Sequence, residues 1–419
     1  MPPAPTGIAS YAAAVLPALR EALDRPIRTL WPVDRLHEGQ VAEHALAVYH
    51  LGNNVAFHRD IYRHAMATPG LVVLHDLALD DFVRGLVAHG DALGYRAARE
   101  AMRLAPRFRV DGEVLDEGPL VVPWVADVVR HARGIVVHAP FGRRYLEALG
   151  NRTPVHVVPH PLAESEAAVA RAATERWERR APLGAAGMRT LVGVFGDLNE
   201  AKQVEAVVAA VARLDASFHL VLVGRRIPSY DVEAFVASSG IADRVRVHHD
   251  VTDAAFLAWM AASDVVVDLR HPHRGEVSGA LARAMQVGRP TIVSATGTYL
   301  DVPADLVVRV PAGPADPDGL GAAIVELAAP SVGAAMGERA ARAVRADAGA
   351  TTRGYVAAIS ETLALVADPG RRALARWARA LADLGATETD LASGVGARYA
   401  AALDELERAP EPSETPPLD

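Results

Sequence analysis

From Thr190 onward, short runs of β-branched and apolar residues alternate with stretches whose apolar positions recur at helical spacing. The runs cover residues 191–195, 219–223, 245–249, 265–269 and 291–294, and residues 204–214, 232–238, 254–262 and 279–287 between them read as helices. Strands separated by helices of this length mark parallel βαβ units. The pattern therefore predicts a doubly wound sheet whose ligands bind at the carboxyl ends of its strands. The first half repeats the alternation, with strand-like runs at 46–51, 71–74, 135–138 and 155–158. No strand pattern precedes the helix pattern that starts at Ile8, so either the start lies upstream or this domain lacks its first strand.

These elements group into an α/β chain of two Rossmann-like domains facing across a cleft, followed by C-terminal helices. The predicted boundaries are an N-terminal domain over 1–163, an Ala-, Arg- and Glu-rich linker with a helix inside over 164–188, a second domain over 189–350, helices over 351–408 and a Pro-rich tail over 409–419. A length of 419 residues fits this division, because single hydrophobic cores stop growing at roughly 250–300 residues. Hydrophobic residues make up 51% of the chain, enough to fill two cores. The net charge of -8 and the lack of a basic block give a nucleic-acid partner no electrostatic footprint. Cysteine is absent, which excludes disulfides and thiolate metal sites and fits a cytoplasmic location. No apolar run reaches the ~18 residues that span a bilayer, which leaves only peripheral membrane contact open.

The segment richest in candidate chemistry runs from Leu269 to Pro290, out of a strand, through a polar loop and into a helix starting near Ser278. Unpaired backbone N–H groups at Ser278, Gly279 and Ala280, with the positive end of the helix dipole, suit a phosphate. Gly275 and Glu276 lie just before them, where a carboxylate can accept hydrogen bonds from sugar hydroxyls. A plain N-cap, with Ser278 capping and Glu276 favouring the dipole, explains the same residues. Gly196 to Lys202 forms a second strand end followed by a helix start, where Lys202 can meet a pyrophosphate or simply be solvated. Arg225 and Arg226 follow the next strand, and one of them can reach a phosphate. In the first half, His75 and Asp76 end one strand and Asn53 and Asn54 follow another. Either pair can serve a ligand, and ordinary packing or turn chemistry would also account for them. The histidines at 248, 249, 271 and 273 show no helical i,i+4 pairing, so no metal site is assigned.

Taken together, the opening Thr6-Gly7-Ile8-Ala9-Ser10-Tyr11, the His75-Asp76 strand end, the Gly196–Lys202 loop and the Glu276 loop with Gly288-Arg289-Pro290 after its helix resemble the family-4 glycosyltransferases. These are the retaining branch with the two-domain GT-B fold, and the resemblance spans about residues 5–360. It implies sugar transfer from a nucleotide-sugar, UDP- or GDP-linked, with no other cofactor and no metal. The acceptor would be a glycan or small molecule. It also implies that Gly7 lies at a glycine turn beneath the donor phosphates, His75 faces the donor sugar beside Asp76, and Lys202 binds the pyrophosphate. Glu276 would match the first glutamate of the Glu-x7-Glu motif, and the loop around Val251 would pack on the nucleobase. Gly196, Arg225, Gly275, Ser278, Gly279 and Ala280 complete the expected donor site, and Tyr11, Asn53 and Asn54 the acceptor site.

Two positions depart from the family pattern. Ala284 stands where the second glutamate would clamp the ribose, and Asp197 stands where an arginine would help a phosphate. Compensation would have to come from Arg225, Arg274 or Arg283. The departures motivate a rival expectation, a catalytically degenerate GT-B protein serving as a partner or scaffold. A sugar-nucleotide epimerase or a phosphorylase on the same plan is a third.

Overall fold

The computed structural model describes residues 7–30, 40–41, 43–110, 118–161, 164–181, 190–346 and 349–367. The chain divides into two compact units, residues 1–358 and 359–419. The first unit holds two parallel sheets. Its helices are α1 (Gly7–Ala22), α2 (Val55–Ala67), α3 (Asp80–Ala88), α4 (Ala92–Leu104), α5 (Ala126–His131), α6 (Pro140–Ala148), α7 (Glu166–Arg180), α8 (Val204–Ala212), α9 (Val232–Ser238), α10 (Asp253–Ala262), α11 (Gly279–Gln286), α12 (Pro317–Ala328) and α13 (Pro330–Ala346). A further helix, α14 (Ala350–Ala367), crosses the boundary between the units.

The first sheet is β1 (Val48–Leu51), β2 (Leu71–Leu74), β3 (Gly134–Val137) and β4 (Val155–Val157), joined in that order and all parallel. Its central strands β2 and β3 read Leu-Val-Val-Leu and Gly-Ile-Val-Val because both faces are covered, so nothing alternates along them. The second sheet has the order β10-β9-β8-β5-β6-β7, from β5 (Thr190–Phe195), β6 (Phe218–Gly224), β7 (Val245–His249), β8 (Val265–Asp268), β9 (Thr291–Ser294) and β10 (Val308–Val310). Its order reverses between β5 and β8, and that switch opens a crevice at their carboxyl ends.

The strands predicted from periodicity are all present, within two residues of their expected ends, and β10 is the one the pattern missed. The segment read as a linker carries α7, whose Ala172 packs in one apolar cluster with Leu257 and Ala261 of α10. The opening residues 1–6, the stretch 182–189 and everything after 367 lie outside the described residues, including Thr6 and the expected tail. Among the described helices no single one is long and apolar enough to cross a membrane, although the bent pair from Pro317 to Ala367 passes that test jointly.

Candidate functional site

The site is built where loops leave the carboxyl ends of β5 and β8. After β5 the chain turns at Gly196, whose φ is 105°. Its carbonyl passes so close over Gly224 that a Cβ there would lie 1.5 Å from the oxygen, so only glycine fits at the end of β6. Below this turn lies Lys202, 1% exposed, its ammonium paired with the carboxylate of Asp268 at the end of β8. The reading of Lys202 as a solvated residue is therefore overturned. Burial and the nearby Arg270 lower its pKa to about 8, against the opposing pull of Asp268. Burial alone would raise the Asp268 carboxyl, but Lys202 and Arg270 bring it down to about 2. Its second oxygen accepts the Tyr299 hydroxyl at 2.9 Å. Lys202 is also the only lysine in the chain, against 42 arginines. A compact ammonium suits this gap better than a planar guanidinium.

Beyond Asp268, the loop carries Arg270, His273 and Glu276. Arg270 Nε lies 2.9 Å from Glu276 Oε1, and the backbone N–H of Arg274 donates to Glu276 Oε2 at 2.8 Å. Burial would raise the Glu276 carboxyl, but His273, Arg270 and these backbone bonds outweigh it and hold the group below the usual range. His273 Nδ1 accepts the Gly275 N–H at 2.8 Å, so the proton of the neutral ring sits on Nε2, 3.3 Å from the Thr298 hydroxyl. Ser278 caps α11 by accepting the Leu281 N–H at 3.2 Å, as the plainer reading expected. Gly279 at the helix start would admit a Cβ with only Arg283 Nη1 nearby at 3.6 Å, so there is room beside the first turn of α11. Ala280, by contrast, is buried in an apolar cluster with Phe195 and Trp259, against which Val251 is packed.

From the first sheet, the loop after β2 meets this segment directly. The backbone N–H groups of Leu77 and Ala78 donate to the Arg274 carbonyl at 3.0 and 2.9 Å. Gly275, at φ 81°, lies so near Leu77 that a Cβ would fall 2.6 Å from its Cβ. Arg274 also reaches the Asp80 and Asp81 carboxylates of α3 at 3.4 and 3.3 Å. Asp76 thus faces the Glu276 side of the crevice. Burial and then the Glu276 charge push its carboxyl up to about 7, although it accepts the Asn53 N–H at 2.9 Å. At neutral pH this group can hold or release a proton beside a second carboxylate.

His75 stands in a cluster of rings at the carboxyl ends of the first sheet. One histidine comes from each strand end: His50, His75, His138 and His160. His50 and His75 share a hydrogen bond of 3.0 Å between Nδ1 and Nε2. The Tyr11 ring sits among them, 4.8 Å from His75 and 4.9 Å from His138, with its hydroxyl bonded to that of Tyr355 at 2.8 Å. His138 Nδ1 donates to the Val158 carbonyl at 2.9 Å, while its Nε2 is buried without a partner. Burial lowers His50 and His160 to about 4 and His138 to about 3, so all are neutral at pH 7. A depressed histidine pKa gives stability that is complete above about 6.5, the unfolded value, and lost as pH falls towards the folded one. Denaturant unfolding at pH 7 and pH 4.5 is expected to show this loss, and His138→Phe to flatten it. An unchanged slope in the variant would place the titration elsewhere.

Other expected site residues are committed to local structure. Gly7 opens α1, and a Cβ there would meet nothing within 4 Å. The Asn53 amide donates to Asp80 at 3.0 Å and its carbonyl accepts the Phe82 N–H at 2.9 Å, while Asn54 caps α2 through the Ala56 N–H at 3.0 Å. Arg225 forms a bidentate pair with Asp197 at 2.7 and 2.5 Å, and Arg283 pairs with Glu164 at 2.8 Å. Ala284 is fully buried among Phe195, Val223 and Trp259. Sequence reasoning gave no role to Asp268, Arg270 or Tyr299, nor to the histidines at 50, 138 and 160. The recurrence of a histidine at successive strand ends was the available signal for the last group.

The two parallel Rossmann-like sheets, meeting through loops at their carboxyl ends, make the GT-B fold of glycosyltransferases. Residues 189–329 match the family described as Glycosyl transferases group 1. The fold is similar to sucrose-phosphate synthase from Thermosynechococcus elongatus, at 21% identity and a TM-score of 0.51 over 74% of this chain and 71% of that one. It is also similar to Anabaena HepE in complex with UDP and glucose, at 14% identity and a TM-score of 0.54 over 77% and 80% of the two chains. The HepE complex with UDP-glucose matches at 17% identity and a TM-score of 0.53 over 83% and 88%. At these identities the likeness is one of fold. No curated protein sequence matches the chain.

Proposed function

We propose that this chain transfers a sugar from a UDP- or GDP-linked donor to a glycan or small-molecule acceptor, with retention at the anomeric carbon. The observation that carries the reading is the meeting of the Arg274–Ser278 loop, at the switch point of the second sheet, with the His75–Ala78 loop of the first. In this reading the donor diphosphate lies over the first turn of α11 at Gly279, with Lys202 and Arg270 supplying positive charge from below. Glu276 accepts hydrogen bonds from the donor sugar, and His75 and Asp76 approach it from the other lobe. The bond from the anomeric carbon to the diphosphate breaks as the acceptor oxygen bonds on the same face, and the acceptor proton passes to the departing phosphate. Preorganised charge supplies the catalysis, with no cofactor besides the nucleotide-sugar. The acceptor would lie over the N-terminal domain, beside Tyr11 and the histidine rings.

A second reading, a binding protein without turnover, draws on one further observation. Each cation named as a donor ligand or compensator already has a carboxylate partner, Lys202 with Asp268, Arg225 with Asp197, Arg270 with Glu276, Arg274 with Asp80 and Arg283 with Glu164. Nucleotide release across a panel of UDP-, GDP- and dTDP-sugars with a crude acceptor extract separates the two. Release above the no-enzyme background with at least one donor is expected. Donor binding without release would favour the second reading, and neither binding nor release would remove both.

A further inference from the structure

At the amino ends of β8 and β9, on the opposite edge of the second sheet from the crevice, three arginines gather around one carboxylate. Arg180, 5% exposed, donates through Nη1 to the Ala262 carbonyl and to Asp264 Oδ2, both at 2.8 Å. That same oxygen accepts the Leu191 N–H at 2.8 Å, so Asp264 is already engaged in holding β5 and β8 in register. Arg176 reaches Asp264 Oδ1 only at 3.9 Å, and Arg289 touches the Ser263 carbonyl at 3.4 Å. The Nε–H groups of Arg176 and Arg289 are buried and donate to nothing among the described residues. Arg179 adjoins the group, with Glu175 at 3.9 Å and the Trp259 ring at 5.9 Å from its guanidinium.

A buried donor without an acceptor is costly, and neighbouring like charges add to the cost. Burial lowers the pKa of both Arg176 and Arg289; at Arg176 the Asp264 charge opposes it more than Arg180 adds to it, whereas at Arg289 repulsion by Arg176 outweighs Asp264. A planar guanidinium fork matches an oxyanion bearing several acceptor oxygens, and carboxylate or phosphoryl oxygens are what such forks bind in pairs. Asp264 is too engaged to serve all three. Trp177, 54% exposed, stacks beneath the Arg176 guanidinium at 4.7 Å.

We propose that Arg176 and Arg289, beside the Arg180–Asp264 pair, form a second anion site, distinct from the donor crevice, for a phosphate-class oxyanion. The phosphate can be free or can belong to a phospholipid headgroup, and the two sources give different results in the following test. Inorganic phosphate at millimolar concentration is expected to raise the Tm of the full chain by several degrees beyond chloride of equal ionic strength. Arg176→Gln with Arg289→Gln should lose that shift, yet be no less stable than the parent without phosphate, because a repulsion is relieved. A purely structural cluster would instead be destabilised in both conditions. Arg289→Lys, which keeps the charge and loses the fork, should give a reduced shift and serves if the double variant does not fold. Co-sedimentation with phosphatidylglycerol–phosphatidylcholine vesicles that depends on the same arginines, without a shift by free phosphate, would identify the headgroup as the source. A phosphate shift undiminished in the variants would place the anion in the crevice and overturn the proposal, as would the absence of both effects.

Discussion

Lys202→Ala is expected to lower kcat/KM by roughly 10²–10³-fold, the scale for removing one group that stabilises transition-state charge in an enclosed site. It is also expected to destabilise the fold by about 3–5 kcal/mol, because it strands a buried charge on Asp268. The two effects separate through Asp268→Asn. That change also breaks the ion pair and costs stability, but it leaves the ammonium under the Gly196 turn, 3.5 Å from where a Gly196 Cβ would lie. Turnover in Asp268→Asn should therefore fall far less than in Lys202→Ala. Steady-state kinetics beside denaturant unfolding of both variants makes the comparison. Equal losses of turnover would mean that Lys202 acts only by holding β5 and β8 together.

Gly275→Ala is expected to reduce kcat/KM about 100-fold, the scale on which a shift of about 1 Å disrupts a positioned site. The added methyl would lie 2.6 Å from Leu77 Cβ, at a φ of 81° that disfavours side chains. The contact it disturbs is the one that brings the two lobes' loops together at Arg274. Because the clash is with a neighbour as well as with the backbone, adding Leu77→Ala should restore part of the loss. That coupling is the signature of a contact, since distant effects would simply add. Losses that add without interaction would show that the lobes need not meet at this point for turnover.

The fold was legible because hydrophobic period alone marks a buried parallel strand. Residues 71–74 of β2 and 291–294 of β9 have the ends that their apolar runs predicted. The pattern missed β10, a three-residue Val-Arg-Val strand at the sheet edge. Part of the candidate site was legible for the same reason, since a strand end followed by Ser278 and Gly279 reads as a helix start in any context. What was not legible is pairing over distance. Nothing near Lys202 in sequence indicates that Asp268, across the switch point, holds it out of solvent. Asn53 and Asn54 read as open hydrogen-bonding groups, yet folding spends them on α3 and α2. Ala284 read as a lost ribose contact, and the structure adds that its surroundings are a closed apolar cluster.

The most direct test of a donor site at the β5–β8 switch point is a hydrogen–deuterium exchange footprint on the full chain, with and without UDP- and GDP-sugars. Saturating donor should slow exchange in peptides covering Gly196–Lys202 and Arg270–Ala280, with a weaker effect at His75–Ala78. Protection confined to other parts of the second sheet, or none from any donor that binds, would contradict the account.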